Sequence, residues 1–212
     1  MEDVLDVYAE TYDPTRPVVC FDERPCQLHD HVLEPLPCSS GKPRRIDSEY
    51  ARCGTCNLFI MVEPLGGWRN VTITPRRTKQ DFAHQMYALV HEHFPSATQI
   101  RVVLDNLNTH TPAAFYEAFP PEIAHDLCQK LEFHFTPKHG SWLNMAELEL
   151  GILVRQCLQR RLPDIPTLQL ETTAWADHRN AQHATITWSL TTSQARSRLD
   201  HLYPLNSNLV DH

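Results

Sequence analysis

The chain lacks the features that would assign it to a membrane or to the secretory pathway. No stretch of its 212 residues approaches the run of about 18 apolar residues that a membrane-spanning helix needs. The first residues, Met1 to Asp6, are acidic where a signal peptide would be basic. The sequence therefore predicts a cytoplasmic protein with no membrane partner.

The cysteines do not form a complete set of pairs, because the chain has seven of them. An odd number excludes a complete disulfide framework within one chain and favours reduced thiols. Cys53 and Cys56 have the two-residue spacing of a zinc knuckle, and Cys26 and Cys38 would have to complete a set of four. One clean pair favours free thiols over structural zinc, and the role of these four cysteines stays open.

A net positive charge is also missing, since the formal charge is -7 at pH 7 with neutral histidines. A free-standing nucleic-acid binder gains most of its affinity by neutralising phosphates. Any role on DNA therefore requires local basic patches, bound cations or a second module. Basic residues do cluster locally, as at Arg44 with Arg45 and at Lys138 with His139.

The length and the 42% hydrophobic content allow one sizeable core, and we predict an α/β domain without internal repeats. Periodicity and capping signals predict helices at residues 2–10, 78–90, 111–119, 122–129, 142–158, 167–181 and 193–202. Short apolar or alternating runs predict strands at residues 18–21, 57–63, 68–74, 100–104 and 131–135. The segment 24–55 has weak periodicity, which is typical of a functional or mobile loop.

Three acids stand where a metal-dependent phosphoryl-transfer site would need them. Asp22 ends the apolar run 18–21, Asp105 ends the run 100–104, and Glu147 lies early in the helix predicted at 142–158. Ligands of open α/β sheets gather at the carboxyl ends of the strands. If the two strands are parallel neighbours, the aspartates lie side by side and the helix adds a third carboxylate. The pattern predicts a magnesium site.

Other interpretations of these acids stay open on the residues alone. Glu147 shares a helical face with Leu150, and Glu149 shares one with Ile152, so periodicity does not decide which acid faces the sheet. Either acid could be a solvated surface group, although a carboxylate on a buried face favours a functional role. The aspartates could equally cap turns after their strands.

Polar residues near the three acids are candidates for supporting roles. Asn106 and His110 follow Asp105 in a loop where they could hold a phosphate, a water or the carboxylates. Lys138 and His139 lie in the loop before the helix of Glu147, where they could contact a flanking phosphate. We predict Ser141 as the N-cap of that helix.

Three strings of the sequence, VVCFDE, VLDNLNTH and TPKHGSWLNMAELE, resemble the DDE-type transposases of bacterial insertion sequences, specifically the mariner-like IS-six-thirty group. The resemblance extends from Val4 to Pro204. In that family the third acid follows the Asn of a WLN motif by three residues, which selects Glu147 after Asn144 and not Glu149. The resemblance implies an RNase H-like fold, a mixed five-stranded sheet flanked by helices, with the first and fourth strands parallel and adjacent.

The resemblance also implies a function. It implies a metal-dependent DNA endonuclease and strand transferase that cuts and joins DNA at element ends, with two Mg²⁺ or Mn²⁺ ions held by Asp22, Asp105 and Glu147. The implied partners are DNA, both transposon ends and target, and a second copy or a partner transposase subunit, in the cytoplasm on the nucleoid. We expect the catalytic domain at residues 17–204, after a lead-in helix and linker at 1–16 and before a tail at 205–212. The residues expected to support catalysis or contact DNA are Asn106, His110, Lys138, His139, Asn144, Arg44 and Arg45.

Members of this group carry an N-terminal helix-turn-helix region, and nothing resembling it occurs in the 21 residues before Asp22. We therefore expect a catalytic domain, a truncated copy or one part of a split transposase. A second hypothesis is a non-catalytic remnant that binds or inhibits a full-length partner. A third is an RNase H-like nuclease that acts on duplexes containing RNA.

Overall fold

A five-stranded mixed sheet forms the centre of the computed structural model, which describes residues 1–138 and 140–200. In chain order the strands are β1 Val18–His31, β2 Tyr50–Glu63, β3 Trp68–Thr74, β4 Ile100–Leu104 and β5 Leu131–Phe135. Their order in the sheet is β3-β2-β1-β4-β5. The strands β2 and β3 run antiparallel to their neighbours, while β4 runs parallel to both β1 and β5. The predicted fold class is confirmed, including the parallel pairing of the first and fourth strands.

Helices cover both faces of the sheet. Their bounds are α1 Glu2–Ala9, α2 Lys79–Ala88, α3 Ala113–Ala118, α4 Pro121–Lys130, α5 Met145–Leu153, α6 Ile165–Ala181 and α7 Thr192–Arg198. Wider π-helical turns extend α2 through Leu89–His93 and α5 through Val154–Leu158. None of the helices in the described residues is long and apolar enough to cross a membrane.

Alternation along the central strands divides the core into two layers. Val19 and Phe21 of β1 face α2, α3 and α4, while Cys20 faces the layer of α1, α5, α6 and α7. This period of two is the normal side-chain alternation of a strand. Val4 and Leu5 are fully buried, so the predicted lead-in helix is part of the core.

Local signals predicted several element boundaries correctly. Thr78 and Asp81 form both halves of a capping box at the start of α2. Gly67 adopts a φ of 68° in the turn between β2 and β3, a conformation that a residue without Cβ reaches at little cost. The end of the helix predicted at 193–202 and the tail predicted at 205–212 lie outside the described residues.

The segment 24–55 was wrongly predicted as a loop, because β1 continues to His31 and β2 already begins at Tyr50. The two extensions pair with each other as an antiparallel ribbon. Most side chains of this ribbon are exposed on both faces, and Leu28 is an exception at 4% exposure. A ribbon held mainly by main-chain hydrogen bonds needs no alternation of apolar residues, and periodicity therefore gave no signal.

Ser141 was also wrongly predicted as a helix cap. Residues Ser141–Leu143 form a separate 3₁₀ turn, and α5 begins at Met145 with Asn144 as its N-cap. The Asn144 side chain accepts a hydrogen bond from the main-chain N–H of Ala146 at 3.1 Å. Because Leu143 is fully buried, the chain has to turn before the helix starts, and this moves the cap to Asn144.

Candidate active site

The two predicted aspartates lie at the same edge of the sheet. Parallel pairing between β1 and β4 ends at Cys20 and Val103. The same register, carried two residues further, aligns Asp22 with Asp105, which directly follows β4. Asp22 does not end its strand as predicted, because β1 continues past it in pairing with β2. The side chain of Asp22 therefore projects from a continuous strand at the point where β4 stops.

Glu147 lies in the first turn of α5 and shares a cleft with Asp22. The cleft has a volume of about 430 Å³, and its wall includes Asp22, Glu147 and Ser141. Its position in the helix leaves Glu147 exposed, and its main-chain N–H donates to the oxygen of Asn144 at 3.0 Å. The predicted helix thus brings its carboxylate to the edge that carries the two aspartates.

The electrostatics of Asp22 show that the acids act on one another. Burial raises the pKa of Asp22 to about 6, and the negative charges of Asp105, Glu147 and Glu23 add to this increase. The main-chain N–H of Glu23 donates to Asp22 Oδ1 at 2.8 Å, and this hydrogen bond partly offsets the increase in the pKa of Asp22. Like charges that repel across a common space are the arrangement that a bound cation would relieve.

Asn144 connects the helix of Glu147 directly to the strand of Asp22. Its side-chain amide donates to the main-chain oxygen of Phe21 at 2.8 Å, while its carbonyl oxygen caps α5. The hydroxyl of Tyr8 donates to the oxygen of Leu143 at 2.8 Å and holds the preceding turn. Asn144 is 2% exposed, so this connection is shielded from water.

His110 forms a buried bridge between Asp105 and Glu23. Its Nδ1 lies 2.8 Å from Asp105 Oδ1 and 3.1 Å from the Asp105 main-chain oxygen, with which the ring N–H aligns. Its Nε2 lies 3.7 Å from Glu23 Oε2. Burial alone would lower the pKa of His110, but the contacts with Asp105 and Glu23 outweigh it and raise the pKa to about 9. A charged imidazolium therefore orients Asp105.

Glu23 is a residue near the site that the sequence interpretation missed. Its side chain is 5% exposed, and it contacts Arg77 Nη1 at 3.1 Å in addition to His110. The available signal was its position next to Asp22 in the string FDE. Glu23 links β1 to the loop after β4, because its partner His110 belongs to that loop.

The carboxylates fit a divalent cation by their chemistry. Hard cations prefer carboxylate oxygens, and Asp105 Oδ1 is buried without an aligned hydrogen-bond donor in the described part of the chain. Across residues 1–138 and 140–200, no three His, Cys, Asp or Glu side chains are gathered closely enough to hold an ion.

Glu149 takes a different role from Glu147, although the two are only two residues apart. Glu149 is fully buried, with Arg69 Nε at 3.0 Å and Arg179 Nε at 2.5 Å from its Oε1. The burial of Glu149 is explained by these ion pairs and is not evidence for a functional role. Two arginines compensate its charge inside the core.

The remaining candidates lie at different distances from the acids. Asn106 and Lys138 are exposed in the loops that follow β4 and β5, at the same edge of the sheet, and His139 lies outside the described residues. Arg44 and Arg45 lie in the loop between β1 and β2, at the far end of the ribbon. The structure therefore does not bring Arg44 and Arg45 to the acids.

The four cysteines of the ribbon and its loop are free thiols. Cys26 lies directly opposite Cys56 in the pairing of β1 with β2, while Cys38 and Cys53 are exposed. No zinc-like cluster of cysteines and histidines occurs in residues 1–138 and 140–200.

The fold and the acids on β1, after β4 and on α5 together define an α/β nuclease-like domain. A family profile described as DDE superfamily endonuclease matches residues 17–169. This match covers most of the chain, and the chain belongs to that family. A comparison with curated protein sequences found no match.

Solved structures with a similar fold are transposases. The Mos1 mariner paired-end complex with Mn aligns with a TM-score of 0.55 at 14% identity, covering 85% of this chain and 55% of that chain. The Mos1 strand transfer complex gives a TM-score of 0.53 at 13% identity and covers 80% of this chain and 51% of that chain. The Mos1 catalytic domain aligns with a TM-score of 0.50 at 11% identity, and the alignment covers 85% of this chain and 81% of that domain.

These similarities show that the chain has the RNase H-like fold of DDE transposase catalytic domains. The chain spans about half the length of the Mos1 transposase in its DNA complexes, where coverage is 55% and 51%.

Proposed function

We propose that the chain is the metal-dependent catalytic domain of a transposase, which cuts and joins DNA at the ends of an insertion sequence. The observations that carry the proposal are the strand register that aligns Asp22 with Asp105, the cleft that Asp22 shares with Glu147, and the effect of both other charges on Asp22. The raised pKa of Asp22 supports it, because this pKa responds to the charges of the other two acids.

We assign Asp22, Asp105 and Glu147 as the ligands of two Mg²⁺ or Mn²⁺ ions. When bound, such ions activate a water or a 3′-hydroxyl and neutralise charge on the phosphodiester. The protein's own residues provide the positioning. His110 orients Asp105, and Asn144 fixes the start of α5 relative to β1, so that Glu147 faces Asp22. Phosphoryl transfer depends on positioning and charge neutralisation more than on covalent chemistry, which matches this set of residues.

The proposed substrates are transposon ends and target DNA. Mos1 structures similar in fold are complexes with transposon ends, one of them with Mn. Asn106 and Lys138 lie in the loops after β4 and β5, at the edge of the sheet that carries the acids, and they are proposed together with His139 to contact phosphates. A second copy or a partner transposase subunit, membership of the bacterial IS-six-thirty group and a location on the nucleoid belong to the same proposal.

Cleavage of a labelled DNA duplex by the purified chain tests this function. We expect strand cleavage with Mn²⁺ or Mg²⁺ and none with a chelator. Asp105→Asn should lower the rate by about 1000-fold or more, because it removes several kcal/mol of metal-dependent stabilisation. Asp126→Asn is the matched control, since Asp126 lies on α4 at the other face of the sheet. Equal cleavage by wild type and Asp105→Asn would overturn the assignment.

The same assay separates the nuclease hypotheses, because an RNA–DNA hybrid can replace the DNA duplex. Preference for DNA supports the transposase function, and preference for the hybrid would support a nuclease acting on RNA-containing duplexes.

A non-catalytic partner of a full-length transposase is the second candidate. Its supporting observation is the net charge of -7, which disfavours unaided DNA binding. Calorimetry with Mn²⁺ and co-purification with a full-length transposase test it. Partner binding without metal binding at the acids would favour this candidate over the catalytic one.

A further inference from the structure

A chain of three adjoining depressions leads away from the three acids along one side of β1. The acid cleft shares Arg24 with a second depression of about 200 Å³ between β1 and the end of α5. The second shares His29 and Arg160 with a third depression of about 560 Å³ at the loop between β1 and β2. The second and third depressions adjoin and together form a groove that begins beside the acid cleft.

We propose that this groove binds the phosphodiester backbone of a DNA duplex and guides it away from the acids. We call it the β1 groove. Its basic residues are Arg24, His29, His31, Arg44, Arg160 and Arg161. The assignment of DNA as the ligand rests on the proposed function, and the test below separates the two.

The charge of the β1 groove departs from the charge of the chain. The chain has 26 Asp and Glu residues against 19 Lys and Arg. Yet among the described residues no acid lines the second and third depressions, and four arginines do. A concave wall with charge of one sign attracts a polyanion, even when the whole protein carries the opposite charge. This segregation provides the local basic patch that an acidic DNA-binding chain requires.

Contacts between distant segments hold the β1 groove in place. The main-chain N–H of His29 donates to the oxygen of Leu162, after the end of α5, at 3.0 Å. Arg161 Nη1 lies 2.7 Å from His31 Nδ1, and its other terminal nitrogen donates to the main-chain oxygen of Asp47 in the loop. The strand, the loop and the end of α5 are therefore fixed to one another before any ligand binds.

Unused polar groups remain in the groove for a ligand. His29 Nε2 is buried, and no hydrogen-bond partner for it occurs in the described part of the chain. Arg24 and Arg44 are exposed, whereas Arg160 is partly neutralised by its ion pair with Glu171. A phosphate oxygen would supply an acceptor for a proton on His29 Nε2.

The length of β1 sets how far bound DNA is expected to extend along the groove from the acids. From Asp22 to His31 the strand rises about 30 Å at about 3.3 Å per residue. A DNA strand covers this distance in about nine nucleotides at about 3.4 Å each. The β1 groove is thus long enough for roughly one helical turn of the DNA that flanks the cleavage site.

The test compares DNA binding by two double variants with equal loss of charge. Arg24→Gln/Arg44→Gln removes two exposed groove arginines, and Lys79→Gln/Lys130→Gln removes two charges from α2 and α4 on the other face. Binding of a labelled duplex is followed by fluorescence anisotropy in a chelator over a salt series. We expect the groove variant to bind at least about tenfold more weakly at moderate salt and to lower the salt slope by roughly 2. The control variant should bind as the wild type does.

An unchanged affinity and salt slope for the groove variant, or an equal loss in both variants, would overturn the proposal. Arg161→Gln is a second groove variant, and circular dichroism with thermal unfolding identifies a loss of fold in any of them. Because binding is measured without metal, a failure of metal-dependent cleavage leaves this result intact. Conversely, cleavage by a protein whose groove variant binds normally would refute the groove and leave the proposed function in place.

Discussion

At the scale of single residues, two glutamates of one helix show how burial decides the role of a carboxylate. Glu147 is exposed in the acid cleft, whereas Glu149 is completely buried and contacts Arg69 and Arg179. A buried charge is tolerated when opposite charges and hydrogen bonds surround it. The same residue type is therefore exposed beside Asp22 at one position and neutralised by arginines in the core at the other.

Exchange of each glutamate for glutamine should separate stability from activity. Glu149→Gln leaves Arg69 buried without its counter-charge, and we expect a loss of about 3 kcal/mol in the free energy of unfolding. Glu147→Gln should change stability by less than about 0.5 kcal/mol, since surface substitutions rarely do more, and should abolish cleavage. Urea unfolding measures the stability of the two variants, and the cleavage assay measures their activity. Similar destabilisation by the two variants would contradict this division of roles.

The negative charge of Asp22 lowers the stability of the metal-free protein, and the size of this effect depends on pH. Its pKa is about 6 in the folded chain, against about 3.9 for an unperturbed aspartate. The folded state thus holds the proton more tightly, and stability falls as the pH rises from about 4 to about 6. Asp22→Asn should therefore stabilise the metal-free protein by about 1–2 kcal/mol at pH 7, allowing for solvent screening.

Denaturant unfolding in a chelator at pH 4 and pH 7 provides the measurement for Asp22→Asn. The gain in stability should be much smaller near pH 4, where the folded wild-type carboxyl is protonated and about half of the unfolded carboxyls are too. Asparagine keeps the acceptor for the Glu23 N–H, so the exchange changes charge and retains that hydrogen bond. A destabilised Asp22→Asn protein at pH 7 would contradict the repulsion between the acids.

At the scale of elements, Asn144 joins α5 to β1 and thereby sets the distance between two of the acids. One side chain caps the helix and also satisfies the carbonyl of Phe21. The three-residue spacing from Asn144 to Glu147 places the acid on the first turn of the helix. The relative position of strand and helix consequently depends on one buried amide.

Asn144→Ala should destabilise the protein by about 2 kcal/mol, combining the loss of a cap with a carbonyl left unpaired. Asn144→Ser keeps a capping oxygen but is too short for Phe21, so we expect roughly half of that loss. Both variants should weaken Mn²⁺ binding, because the position of Glu147 is no longer fixed. Urea unfolding and calorimetric titration measure these effects. Unchanged Mn²⁺ affinity in Asn144→Ala would assign Asn144 a purely structural role.

The elements also show where sequence patterns succeed. The capping box at Thr78 and the turn at Gly67 involve residues that are neighbours in the chain, and both were predicted correctly. The ribbon at the end of β1 and the cap at Asn144 were not predicted. Each of these depends on a partner far along the chain, β2 in one case and the main-chain oxygen of Phe21 in the other.

At the scale of the whole molecule, the acidic chain separates its charges into an acid cleft and a basic groove. The cleft has Asp22 and Glu147 in its wall, and the β1 groove begins at Arg24, which borders both. Cations and a DNA backbone would thus meet at neighbouring sites of opposite charge. The net charge of -7 by itself gives no information about this arrangement.

Divalent ions should stabilise the whole fold, because they bind the folded acids and not the unfolded chain. At a free Mn²⁺ concentration of about 100 times Kd, linkage predicts a gain of about 2.7 kcal/mol. Thermal unfolding with Mn²⁺ or a chelator measures this as a shift in Tm, and Asp105→Asn should remove the shift. Asp126→Asn, on the opposite face, should retain it in full. An identical shift in both variants would place the bound ion elsewhere.

The sequence by itself determined the kinds of elements and the buried runs of the central strands, and with the family resemblance it selected three acids as candidates. These depend on local periodicity and on short motifs, and the parallel pairing of β1 with β4 agrees with the family resemblance. Only the tertiary structure decided that Glu149 faces arginines, that Glu23 reaches His110, and that β1 extends along a basic groove. The physical reason is that periodicity tells which side of an element is apolar. It does not tell which distant segment supplies the opposing charge or hydrogen bond.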